Sequence, residues 1–335
     1  MDRTRLLAPL LLLFPLALQA VGPIDADGLC APWREIAVPA ADAGTPSPGC
    51  DTMTLYYGAD GKGGDPEAAR HCAYADRAAG DGKVFGGSAA LMMLYANGEG
   101  VARDLRLARR FACEYGGAPA EVSARLAHLQ RVEDDAASKR FDVCDDITSG
   151  HMAGFCVGRA AGFAHVARAR EWQALQSDWT PAQKAAWRSV RQAADAYFEY
   201  AGSAEIDLGG SARAAFSVDA RQLLEVQLLD DVQAFERGRL PGHTAADFAR
   251  ADRELNLVYG RVRSELRAGA TAPEYSLFGT ITADGVRDTQ RAWLRYRDAW
   301  VAFAATRWPD TPADTWRAWL TESRTQMLAS IVDSP

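Results

Sequence analysis

The sequence predicts an all-α protein, with helical-hairpin repeats followed by two helical-bundle modules. Three observations carry this expectation. Alanine is abundant and runs of β-branched residues are nearly absent, a composition that favours helix over strand. Apolar side chains recur three and four positions apart, as at Leu255, Val258 or Tyr259, Val262 and Leu266, which is the spacing of one helix face. Gly and Pro cluster between such stretches instead of within alternating strands.

Residues 1–20 predict a secretory signal peptide. Arg3 and Arg5 precede the apolar run Leu6 to Leu18, and the small Ala20 follows it. Pro9 and Pro15 make the run unsuited to a buried helix, and its length falls short of a comfortable membrane span. A lipid-attachment site at Leu29-Cys30 is rejected, because a polar gap ending in Asp27, Gly28 and Leu29 separates Cys30 from the apolar run. No later stretch is apolar and long enough to cross a membrane. The expected location is periplasmic or secreted, after cleavage near Ala20. Six cysteines then remain, an even number in an oxidising compartment, so disulfides are expected among Cys30, Cys50, Cys72, Cys113, Cys144 and Cys156. No Cys-x-x-Cys occurs, which counts against a redox dithiol and a structural zinc site.

The net charge of -7 argues against a nucleic-acid partner, since phosphate binding needs a basic face. Residues 244–335 carry twelve acidic and twelve basic side chains, so the acid surplus lies upstream and charge alone locates no binding face.

Residues 21–49 read as an irregular arm pinned by Cys30 and Cys50. Residues 50–130 hold an internal period. Asp65-Pro66-Glu67-Ala68-Ala69-Arg70 matches Asp104-Leu105-Arg106-Leu107-Ala108-Arg109, and each Asp follows a glycine-containing turn, placed to cap the next helix. Leu91, Leu94 and Tyr95 form one apolar stripe, with Leu107, Ala108 and Phe111 facing it. The run Ala89 to Asp104, with Leu107-Ala108, resembles a Sel-one-like repeat, and Tyr56 to Arg70 resembles a degenerate copy. That resemblance implies a scaffold for protein partners.

The second half also repeats. Ala186-Trp187-Arg188-Ser189-Val190-Arg191-Gln192-Ala193 aligns with Ala292-Trp293-Leu294-Arg295-Tyr296-Arg297-Asp298-Ala299, and Arg221-Gln222-Leu223-Leu224 aligns with the region of Arg324-Thr325-Gln326-Met327. The segment Ala251-Asp252-Arg253-Glu254-Leu255-Asn256-Leu257-Val258-Tyr259, with Gln290 to Ala299 and Leu320 to Arg324, resembles the LprI-type lysozyme-inhibitor domain. The resemblance is strong over residues 247–330 and weaker over 141–235, where the Leu-Asn-x-x-Tyr motif is absent. It implies modules at 141–235 and 244–335. Cys144 and Cys156 sit where this family often places its opening cysteines, and they are expected to pair locally. The remaining four would form two bridges of unassigned pairing. Many members carry a cysteine just after Arg-Asp-Ala and another near the last helix. This chain has Trp300 there and no cysteine beyond Cys156, so its C-terminal module must be held by an aromatic core.

No residue set points to catalysis. His71, His128, His151, His165 and His243 form no close ligand pair, so no metal is expected. Gly58 to Gly63 lacks the Ser or Thr that a phosphate loop needs after Lys62, and no Gly-x-Ser-x-Gly elbow occurs. The acidic residues give no reason to prefer any two as a glycosidase pair. The reading is therefore a non-enzyme with no cofactor. Candidate binding residues are the motif members Asp252, Asn256, Tyr259, Trp293, Arg297 and Asp298, although such polar groups commonly cap or cross-link helices. Trp293, Tyr296, Trp300 and Phe303 are expected in the core, and Trp308, Trp316 and Trp319, near the last turn, are candidate contact residues. The resemblance implies an exported protein-binding factor that inhibits lysozyme. The alternative is an envelope scaffold or assembly protein that grips partners through its repeats. Either way the partner is a protein, lysozyme or another envelope protein, with no nucleic acid and no membrane span.

Overall fold

The computed structural model describes residues 24–80, 84–134, 140–269 and 277–333. The expected signal peptide lies outside these residues. Among them there are twelve α-helices and no strand.

The first six helices are short: α1 (Ala26–Arg34), α2 (Thr52–Tyr57), α3 (Pro66–Ala79), α4 (Gly87–Asn97), α5 (Leu105–Tyr115) and α6 (Pro119–Asp134). Asp65 starts α3 by accepting a hydrogen bond from the Ala68 amide at 3.0 Å, and Asp104 starts α5 by accepting from the Arg106 and Leu107 amides at 2.9 and 3.0 Å. Each carboxylate satisfies donors that a helix leaves unpaired at its N-terminus. The turn between α4 and α5 needs glycine at Gly100. Its φ is 63°, and a Cβ there would sit 2.5 Å from the Pro66 carbonyl carbon at the head of α3.

The structure corrects the sequence reading at two places here. Residues 26–34 are helical, not irregular, because Asp25 caps them through the Gly28 amide at 2.9 Å and Cys30 is tied to α5. Helix α4 is buried on all sides rather than along one stripe: from Ala89 to Ala96 no residue exceeds 1% exposure. The segment after α6 meets α4, with the Phe141 backbone bonded to the Asn97 side chain and the Val143 amide donating to the Met93 sulfur, and both residues belong to the same core.

Three disulfides fasten this part. Cys30 pairs with Cys113, Cys50 with Cys72, and Cys144 with Cys156. The first closes 83 residues of chain, a loop of the size for which cross-linking contributes on the order of 4 kcal/mol in the chain-entropy picture.

Six long helices follow: α7 (Gly150–Leu175), α8 (Pro181–Ala204), α9 (Arg213–Glu236), α10 (Ala245–Gly269), α11 (Ala283–Arg307) and α12 (Ala313–Asp333). Helix α7 has 26 residues, a length of roughly 39 Å at helical rise. Its N-terminal half, through Met152, Phe155, Cys156 and Phe163, belongs to the first core, and its C-terminal end, through Trp172 and Leu175, packs on the second. Arg159 on α7 reinforces the join by bonding Asp142 at 2.9 Å while its guanidinium lies 4.4 Å from the centre of the Tyr57 ring. Tyr57 in turn donates to Asp142 at 2.7 Å.

The second core is one continuous cluster drawn from α8, α9, α10, α11 and α12. Helix α8 lies along α11, α7 along α9 and α10 along α12. The α8–α11 pair is antiparallel. Trp187 meets Phe303 at 5.1 Å between ring centres at one end, and Tyr197 stacks on Tyr296 at 5.6 Å toward the other. The two segments that align in sequence, Ala186–Ala193 and Ala292–Ala299, thus lie on helices that pack against each other. Trp300, fully buried, contacts Trp187, Phe235, Tyr296, Phe303 and Trp319.

A buried ion pair crosses the same core. Arg324 of α12 donates to both carboxylate oxygens of Glu205, at 2.7 and 2.5 Å, to Gln290 of α11 at 2.9 Å, and to the Tyr197 hydroxyl at 3.5 Å. Burial disfavours the Arg324 charge, but Tyr197 and Glu205 outweigh it and raise its proton affinity. Arg324→Met would leave Glu205 buried without its cation, at a cost of about 3–5 kcal/mol, whereas replacing both partners by Met restores much of that loss. Urea unfolding of the two variants checks this, and equal midpoints for Arg324→Met and the parent would contradict it.

Candidate functional site

The motif residues of the C-terminal half fall into two groups, one on α10 and one on α11. On α10, Asn256 is exposed and its side-chain amide donates to the Asp252 carbonyl at 2.8 Å, one helical turn back. That leaves the Asn256 side-chain oxygen as an outward acceptor beside the Asp252 carboxylate. Tyr259 is half-buried, with the Arg263 guanidinium 5.4 Å from its ring centre. Between them Leu257 is 75% exposed, an apolar side chain that the sequence reading passed over. Arg253, Asn256, Leu257 and Gly260 together form an outward strip, while Ala251, Leu255, Val262 and Leu266 face the core.

On α11, Trp293 is 2% exposed and belongs to the second core. The Arg297 guanidinium lies 5.3 Å from the Trp293 ring centre and bonds Asp298 at 3.0 Å, and the Asp298 side chain is exposed. Among the described residues, no hydrogen bond, ion pair or ring contact joins Asp252 or Asn256 to Trp293, Arg297 or Asp298. The six candidates are split between α10 and α11, with Trp293 in the core rather than at a surface. Both helices carry hydrogen-bonding and charged groups suited to recognition. Among the described residues, no three His, Cys, Asp or Glu side chains gather as a metal centre would require.

The three tryptophans near the last turn are differently placed from the expectation that they make contacts. Trp316 is 1% exposed, and Trp308 and Trp319 are half-buried beside it. All three surround Phe235 of α9, with ring centres 5.1 to 5.7 Å from it. They seal the end of the second core, and the large apolar area of indole explains why the fold keeps them inside.

The helical order, the α10 face and the Trp293–Arg297–Asp298 surface together frame the comparison with known proteins. Residues 242–329 match the family Lysozyme inhibitor LprI. The match covers α10, α11 and most of α12 and includes all six motif residues, together with Gln290 and Arg324 of the buried network. No curated protein and no solved structure matches the chain. The matched segment draws on α8 and α9 to complete its core.

One acidic group of α9 faces the LprI segment. Asp231 lines a narrow cleft with Trp293 and Tyr296. Burial pushes its carboxyl up to about 6, against a hydrogen bond from Gln227 that favours the charged form, and the neighbouring Asp230 adds to the rise. The folded protein therefore holds this proton more tightly than the unfolded chain does. Its contribution to stability grows as pH falls from 7 through 6 and is complete below the ordinary Asp range. Asp231→Asn should raise the stability at pH 7 by on the order of 1 kcal/mol, the shift being discounted for partial exposure, with the gain shrinking toward pH 4. Thermal melts of both proteins across this range check it, and a parent that melts lower at pH 5 than at pH 7 by a group traced to Asp231 would contradict it.

Proposed function

We propose that the protein is an exported, disulfide-bonded protein-binding factor that inhibits lysozyme through its C-terminal helices. The match of residues 242–329 to the LprI family carries this reading. Other observations agree with it. Three disulfides suit an oxidising compartment, and no described helix is long and apolar enough to cross a membrane. Inhibition needs no reactive group, only a face that covers the enzyme's cleft while burying on the order of 1,600 Å².

The outward strip of α10 is the surface that this reading favours. Leu257 offers an exposed apolar centre, with the hydrogen-bonding groups of Asn256 and Asp252 and the charge of Arg253 around it, the arrangement of an apolar anchor within a polar rim. Asp298 on α11 is a second, smaller candidate.

The purified protein should slow lysis of cell-wall substrate by lysozyme at micromolar concentration. Leu257→Asp should weaken that inhibition by about tenfold, equivalent to about 1.4 kcal/mol of binding, without moving the melting temperature. No inhibition by the parent at micromolar concentration would sink the lysozyme reading. Full inhibition by Leu257→Asp would move the contact off α10.

A further inference from the structure

Outside the LprI segment, α7, α8 and α9 enclose a cleft of about 450 Å³ whose charge balance is unusual for an acidic protein. Three arginines line it. Arg191 is satisfied, since it holds Glu225 through two hydrogen bonds of 3.0 Å and Asp195 at 3.1 Å. Arg168 and Arg188 are not matched in this way. Arg168 is only 7% exposed, yet its guanidinium is met by a single neutral acceptor, the Gln222 side-chain oxygen at 2.6 Å. Among the described residues no carboxylate lies within ion-pair distance of it. Burial lowers its proton affinity, with Arg191 adding to the effect and Glu225 and Glu171 opposing it. Glu171 is exposed and takes a hydrogen bond from Gln233 at 2.9 Å. Arg188, exposed on the same cleft, makes no hydrogen bond or ion pair with any described residue.

Glu225, the carboxylate among the cleft's lining residues, is tied to Arg191, so the lining carries a surplus of positive charge at Arg168 and Arg188 that an anion would balance, and the planar fork of a guanidinium suits carboxylate and phosphate alike. The remaining walls say what body the anion carries. Trp172, half-buried with its ring 4.8 Å from Trp187, presents an aromatic surface on one side. Gln173 and Gln176 line the cleft with side-chain amides that no described residue engages, and these can both donate to and accept from hydroxyl groups.

We propose that this cleft binds an acidic sugar or sugar phosphate, with its anionic group against Arg168 and Arg188, its ring against Trp172 and its hydroxyls toward Gln173 and Gln176. The site is independent of the lysozyme reading, because it uses none of residues 242–329.

Isothermal titration of the disulfide-bonded protein with glucuronate, glucose 6-phosphate and glucose tests it. At least one of the two anionic sugars should bind at millimolar concentration or tighter, with affinity falling as salt is added, and glucose should bind at least about tenfold more weakly. Which anion binds more tightly distinguishes carboxylate from phosphate. Arg188→Ala should weaken binding by about tenfold with an unchanged melting temperature; Trp172→Ala should weaken binding by about tenfold in the folded protein while lowering the melting temperature, since Trp172 also packs on the second core, and both variants act even if Arg168→Gln fails to fold. The proposal is overturned if neither anionic sugar binds, if glucose binds as tightly, or if Arg188→Ala and Trp172→Ala leave the affinity unchanged.

Discussion

The antiparallel seam between α8 and α11 is the constraint on which the C-terminal half depends. Trp187, Tyr197, Tyr296, Trp300 and Phe303 meet along it, and each large ring buried in this way contributes roughly 1.5–3 kcal/mol of apolar transfer. Once α8 and α11 are fixed, α9 and α12 close over them through Phe235, Trp316 and Trp319, and α10 is laid against α12. The buried contact of Arg324 with Glu205, Gln290 and Tyr197 then joins α12, α11 and α8 at one point. A charge so placed adds little net stability beyond an apolar substitute, but it penalises any packing that separates its partners.

This arrangement decides which surfaces are left for recognition. Trp293 and the three tryptophans of the last turn are drawn inward, so the segment matched to LprI presents mostly the polar side of α10, interrupted by Leu257, and the Asp298 corner of α11. The N-terminal half is built by other means. Its helices are short, and three disulfides and a wholly buried α4 supply what long-helix packing supplies elsewhere. Helix α7 belongs to both cores and holds them in contact.

The sequence made the helices legible because their signals are local. Asp65 and Asp104 announce helix starts through side-chain capping, and the spacing of Leu255, Val262 and Leu266 marks the buried face of α10, as observed. What it concealed depends on distant partners. The all-round burial of α4 depends on distant segments such as Phe141 and Val143, which no periodicity within α4 reveals. The helix at residues 26–34 is held by Cys113, 83 positions away. The candidate residues are split between α10 and α11, and Trp293 among them is drawn into the core, which the motif by itself does not reveal. Arg324 was visible in the motif, yet its burial could be known only once Glu205 was seen opposite. Leu257 carried a weak signal, an apolar residue off the helical stripe.

The last three helices depend on α8 and α9 to form their core. Amide hydrogen exchange on the isolated segment 242–335 tests this dependence most directly. Fast exchange throughout α11, without a cooperative thermal transition, is the outcome that a shared core requires. Slow exchange at Trp293, Tyr296 and Trp300 in the isolated segment, matching the whole protein, would show that the segment folds alone and would contradict the account.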